Sequence, residues 1–210
     1  ITTGSLKATN GARVSANTAG QGNAGNVKIT AHDKVYFAGV GSNGNFSGAV
    51  SAVEENDSAG GNSTGEGGNV TINTGRLFVQ DGAQVHVSSE GAGDAGELRV
   101  EAGSIFLNNK GELRASTESS SGGNIYLQVH DLILMRRNSL ISAEARGTAV
   151  NSGNITIDTP LLVAFPNENS DITANANEGQ GGFIQIRAEG VFGLVQRDLE
   201  ELKTLLGTEN

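Results

Sequence analysis

Along this chain a glycine is followed, at the second and fourth positions after it, by aliphatic residues with polar ones between and behind them, and the pattern recurs six times. The hexads are Gly25-Asn26-Val27-Lys28-Ile29-Thr30, Gly68-Asn69-Val70-Thr71-Ile72-Asn73, Gly96-Glu97-Leu98-Arg99-Val100-Glu101, Gly123-Asn124-Ile125-Tyr126-Leu127-Gln128, Gly153-Asn154-Ile155-Thr156-Ile157-Asp158 and Gly182-Phe183-Ile184-Gln185-Ile186-Arg187. A period of two marks a short strand with one buried face, so Leu98 and Val100 point inward while Arg99 and Glu101 face water. The hexad glycines lie 27 to 30 residues apart, with one interval of 43 between Gly25 and Gly68. Such a period predicts stacked repeats, in which no unit buries its apolar face without a neighbour.

The rest of each period carries two more apolar clusters. Leu77 with Val79, Ile105 with Leu107, and Leu132 with Leu134 form a second strand, and Val35 with Phe37 stand one step later in theirs. A third strand follows as Ala12, Val14 and Ala16, then Val85 and Val87, Leu113 and Ala115, Leu140, and Ile172 and Ala174. Three strands per period predict an all-β, three-sided coil, and about six such coils stack into a parallel β-helix with inward aliphatic ladders about 4.8 Å apart. The general rule for parallel crossovers makes it right-handed. Asn26, Asn69, Asn124 and Asn154 share one position and are expected to share side-chain hydrogen bonds along the axis, interrupted by Glu97 and Phe183. Length varies mainly after the third strand, in Gly-, Ser-, Asn- and Thr-rich segments that read as loops. The excess of the long interval falls around Ala38 to Asn45 and Glu54 to Gly67.

The final segment changes period. Asp198 and Glu201 form a helix start, Leu199, Leu202, Leu205 and Leu206 one apolar face, and Gly207 a stop. A helix this short must dock, and a cap on the last coil would protect an open sheet edge. The expected organisation is a parallel β-helix over residues 1–193 and a helical cap or linker over 194–210.

Composition narrows the function. The 31 glycines are about twice the usual share, but no three-residue period makes the chain collagen-like, and regularly spaced aliphatics argue against disorder. A net charge of −9 leaves no basic stripe for nucleic acid, and Arg136-Arg137 is too short to serve. The absence of cysteine removes disulfides and thiolate metal sites and suits export. No apolar run approaches twenty residues, and Ile1 starts in mid-pattern, as in a mature or excised piece.

The recurrent Gly-Asn-Ile-x-Ile hexads, the run Asp158-Thr159-Pro160, the closing Gly181-Gly182-Phe183-Ile184-Gln185-Ile186 and Gly190-Val191-Phe192-Gly193-Leu194, and then Asp198-Leu199-Glu200-Glu201-Leu202 follow in a specific order. In these, over essentially its whole length, the sequence resembles the filamentous-haemagglutinin-like exoproteins of bacterial two-partner secretion. The resemblance implies a secreted β-helical passenger at the bacterial cell surface. Such a passenger is exported through an outer-membrane transporter and acts in adhesion, surface coating or cell contact. The amino-terminal secretion motifs of that family are not evident, so the chain reads as a downstream shaft segment. Its transporter would be engaged by another region. A cell-surface or polysaccharide receptor and end-to-end self-association are the other partners the resemblance allows.

Candidate chemistry is sparse, and the expectation is a non-enzymatic protein with no cofactor and no resident metal. His32-Asp33 and His130-Asp131 occupy equivalent positions three coils apart, too far to share a zinc ion, and read as turn residues. Glu54, Glu55, Asp57 and Glu66 crowd the longest loop and offer oxygens to Ca²⁺, yet the Gly-Gly-x-Gly-x-Asp nonapeptide of calcium-binding β-rolls is missing. This loop is the candidate interaction site. Glu101 and Asp158 are the best acid pair for an alternative reading, a polysaccharide-binding or polysaccharide-cleaving β-helix. They stand two coils apart, about 10 Å between backbones, near the upper limit for an inverting pair. Gln128 lies between them, and no aromatic platform is expected beside them. The outward ladder Lys28, Thr71, Arg99, Tyr126, Thr156 and Gln185 lacks the uniform threonines of an ice-binding face.

Overall fold

A computed structural model describes residues 1–55, 63–118, 122–147, 151–177, 179–197 and 201. In chain order the strands are β1 (Thr2–Thr9), β2 (Arg13–Ser15), β3 (Thr18–Ala19), β4 (Val27–Ala38), β5 (Gly48–Glu54), β6 (Val70–Gln80), β7 (Gln84–Ser89), β8 (Leu98–Asn108), β9 (Glu112–Thr117), β10 (Ile125–Arg136), β11 (Leu140–Ala145), β12 (Ile155–Asp158), β13 (Leu161–Val163), β14 (Asp171–Ala176), β15 (Ile184–Arg187) and β16 (Gly190–Phe192). One sheet runs β1-β4-β6-β8-β10-β12-β15, with β13 and β16 continuing it beside β10. The other runs β14-β11-β9-β7-β5-β2. Strands from successive periods pair in parallel throughout both sheets. The result is a parallel β-solenoid of about six turns.

Its coils have three sides because the long strands turn a corner. In β6 the buried positions are Val70, Ile72 and Thr74, then Leu77 and Val79, so the inward phase changes at Gly75. The third side is the short strand of the second sheet. The hexad row stacks as its alternation predicts: Val27, Val70, Leu98, Ile125, Ile155 and Ile184 are successive partners. All but Ile184, in the last coil, are buried.

Two inward assignments change in the coil of β10. Ile133 and Met135 are fully buried, whereas Leu132 and Leu134 face outward; on the third side Ile141 is buried and Leu140 faces outward. One cause explains both. His130-Asp131 places two residues where β6 and β8 have only Gly75 and Gly103, and the register shifts between Val129 and Leu132. This bulge displaces everything after it by one residue, and one residue exchanges the faces of a strand. His32-Asp33 does the same in β4, between Ala31 and Lys34, which is why Val35 and Phe37 come one step later.

The hexad glycine has a steric reason. A Cβ on Gly68, Gly96, Gly123, Gly153 or Gly182 would lie 1.9 to 2.3 Å from the carbonyl oxygen of the hexad glycine one coil earlier. Only a residue without a side chain lets the coils approach there. The asparagines beside them form a ladder of a different kind from the expected one. Asn26 Oδ1 accepts from Asn69 N–H (2.7 Å), Asn69 Oδ1 from Glu97 N–H (2.7 Å), Asn124 Oδ1 from Asn154 N–H (2.8 Å) and Asn154 Oδ1 from Phe183 N–H (2.9 Å). Because the donor is backbone, Glu97 and Phe183 can end the ladder without breaking its last bond. The glutamate instead accepts from Arg99 Nε at 2.8 Å.

The corner before the third side is a stack of left-handed residues, with φ of 56° at Asn10, 57° at Asp81, 45° at Asn109 and 50° at Arg137, three of the four being Asn or Asp. Asn and Asp tolerate this conformation better than other side-chain-bearing residues. The long interval places part of its excess in a loop from Gly39 to Ser47, closed by an antiparallel bridge between Val40 and Phe46; the other expected loop, Glu54 to Gly67, lies partly outside the described residues. Leu199, Leu202, Leu205 and Leu206, and with them the expected capping helix, lie outside the described residues.

Candidate functional site

On the first side of the coil, outward residues form two adjacent rows. Arg99, Tyr126, Thr156 and Gln185 are successive partners, and so are Glu101, Gln128, Asp158 and Arg187. Between the rows runs a trough of about 230 Å³, lined by members of both. Glu101 and Asp158 therefore share one concavity, and Tyr126 corrects the expectation that no aromatic ring stands beside them. A ring 27 residues from Arg99 in sequence is its neighbour in space because both occupy the same hexad position. The Arg99 guanidinium carbon lies 4.7 Å from the Tyr126 ring centroid. Glu101 accepts from Asn73 Nδ2 at 3.2 Å and has His130 Nε2 at 4.0 Å. It stays two rungs, about 10 Å, from Asp158.

The histidine–aspartate pairs are corner residues. Asp33 is tied to Arg76 on the next coil and to Ser5 Oγ (3.2 Å) on the previous one. The Arg76 hydrogen bond holds its carboxyl below the usual carboxylate range. The acidic-loop residues have separate attachments. Glu54 Oε1 accepts from Asn17 Nδ2 at 2.7 Å, the Glu55 N–H donates to Glu90 Oε2 at 3.2 Å, and the Glu66 N–H donates to Asn23 Oδ1 at 2.9 Å. Asp57 lies outside the described residues. Among the described residues no group of three or more His, Cys, Asp and Glu side chains is arranged to hold a metal ion.

A second, smaller recess of about 130 Å³ lies on the third side, where sequence reasoning had singled out nothing. His86 and Arg114 stack there as partners, with Ser88 and Ser116 beside them and Glu118 and Arg146 at the edge. His86 Nε2 is 3.2 Å from Ser116 Oγ. Burial first, and then Arg114 and Arg146, push the imidazole down to about 4. A base that weak does not activate a serine near neutral pH, so this His–Ser contact reads as packing. The available signal was a histidine at an outward position of Gln84-Val85-His86-Val87.

Because its folded pKa lies below the ordinary 6.5, the imidazole favours the fold fully above about pH 6.5, and that contribution is lost as pH falls towards about 4. The loss should be on the order of 2–3 kcal/mol. His86→Asn should be less sensitive to acid than the parent between pH 7 and 4.5 in urea titrations. Equal pH slopes would contradict a half-buried imidazole held neutral.

On the second side Tyr36, Phe78 and Phe106 are successive partners, with Lys7 at one end and Leu134, Val163 and Phe192 continuing the row. Phe78 and Phe106 lie face to face, 4.7 Å between centroids and 10° between planes. Their faces are spent on each other, so the row presents edges and stabilises the stack. No family model, curated protein or solved structure matches this chain.

Proposed function

We propose that this chain is a non-catalytic, adhesive shaft segment of a secreted bacterial surface exoprotein of the filamentous-haemagglutinin-like, two-partner-secretion kind. The observation that supports this reading is the uninterrupted interior column, in which successive coils differ little except at their loops. A stack of this sort extends by adding coils and offers long, repetitive outward faces to the surroundings. The hexads and their order carry the resemblance, and the solenoid is the architecture it implies. The acid pair on the first side is spaced too widely for a retaining glycosidase and marginally for an inverting one.

The test is to express the complete exoprotein with its partner pore in a Gram-negative host and treat intact cells with protease. Surface cleavage within these coils, lost when the pore protein is deleted, is the expected result. A chain retained in the cytosol in the presence of a functional pore would reject the reading.

A further inference from the structure

Outward charged groups of this solenoid commonly pair along the axis. Arg76 meets Asp33, Arg114 meets Glu144, Arg136 meets Glu168 and Arg146 meets Glu118. The trough on the first side departs from that habit. Asp158 and Arg187 are direct partners on adjacent strands, and yet they form no ion pair. Among the described residues, Gln128, Thr156 and the Tyr126 hydroxyl beside them also make no side-chain hydrogen bond. A run of unused donors and acceptors, with planar amide, carboxylate and guanidinium groups one rung apart and an aromatic ring alongside, is suited to hydroxyl groups repeated along a chain.

Charge decides the class of chain. Arg187 stands against Asp158 within the trough, while Arg99 is already paired with Glu97 at 2.8 Å, so the trough has no surplus of positive charge, and the protein as a whole carries −9. A polyanion gains nothing from the site and is repelled by the remainder. We propose that the trough binds a neutral, hydroxyl-rich polysaccharide strand lying along the solenoid axis, and binds it without cleavage. This gives the adhesive shaft a ligand class and rests on that reading for its biological setting, but the binding itself is a property of the isolated chain. Sugar rings of a size comparable to the rung of about 4.8 Å would present hydroxyls successively to Gln128, Asp158 and Arg187, with the Tyr126 hydroxyl and ring edge alongside, since Arg99 covers one face of that ring.

Affinity electrophoresis of the purified chain tests this directly, in gels cast with hydroxyethylcellulose, galactomannan, xyloglucan or dextran and, in parallel, polygalacturonate or dextran sulfate. Retardation is expected in at least one neutral gel and in neither acidic gel. Tyr126→Ala and Gln128→Ala should each weaken it roughly tenfold. Thr71→Ala, on the same face outside the trough, should not. Unretarded migration in all the neutral gels, retardation confined to the acidic ones, or retardation unchanged in both trough variants would overturn the site. Release of reducing ends from a retarding polymer would overturn the claim that the strand is not cleaved. Surface protease results leave this measurement untouched, so a failed trough and a failed shaft assignment can be told apart.

Discussion

Ile125→Asp is expected to unfold the protein well beyond the coil it belongs to. Ile125 is fully buried, between Leu98 and Ile155 in the same interior row. Removing a buried aliphatic side chain costs about 2–5 kcal/mol, and a carboxylate without a partner in its place adds several more. That approaches the whole stability of an ordinary domain, about 5–15 kcal/mol. In a one-dimensional stack the damage falls on both neighbouring interfaces at once. Thr156→Asp, one strand over and facing outward, should stay within about 0.5 kcal/mol. Thermal melts of the two variants decide the matter, and comparable losses would mean that inside and outside have been exchanged.

Gly153→Ala should be nearly as damaging although it adds a single methyl. The new Cβ would stand 1.9 Å from the carbonyl oxygen of Gly123. The obstruction is backbone held in a ladder, so no side chain can swing away, and two coils must separate. We expect a loss of about 3 kcal/mol or more. Gly4→Ala supplies the contrast, because a Cβ there meets nothing within 4 Å. Reducing the freedom of the unfolded chain should make that change neutral or stabilising by up to about 1 kcal/mol. Urea unfolding of both proteins is the measurement. A Gly153→Ala variant as stable as the parent would show that the hexad glycines are not set by contact between coils.

The same two positions separate what was legible in the sequence from what was not. Ile125 could be placed inside because alternation is a local property: residues two apart on a strand share a face whatever lies beyond. Gly153 could be identified only as periodic, since its reason is a carbonyl oxygen 30 residues away in sequence. Asn154 shows the same limit. Its place in a ladder was visible, but its partner, the backbone N–H of Phe183, was not.

By itself, then, the sequence determined the class of fold, the three-sided period, the first interior row and the position of the loop that follows β4, because each follows from local alternation repeated at a fixed interval. Tertiary structure decided the register past a corner. The one extra residue at His130-Asp131 moved Leu132, Leu134 and Leu140 to the outside; alternation along the strand fits Leu132 with Leu134 as well as Ile133 with Met135, and only the match to His32-Asp33, where Val35 and Phe37 also come one step late, pointed to the second pair. It also decided which outward side chains meet. Tyr126 beside Arg99, His86 against Ser116, and Asp158 next to Arg187 with no ion pair between them depend on how coils stack. Stacking sets contacts between residues a full period apart, and a pattern read along one strand carries the face of each residue but not the identity of its neighbour on the next coil.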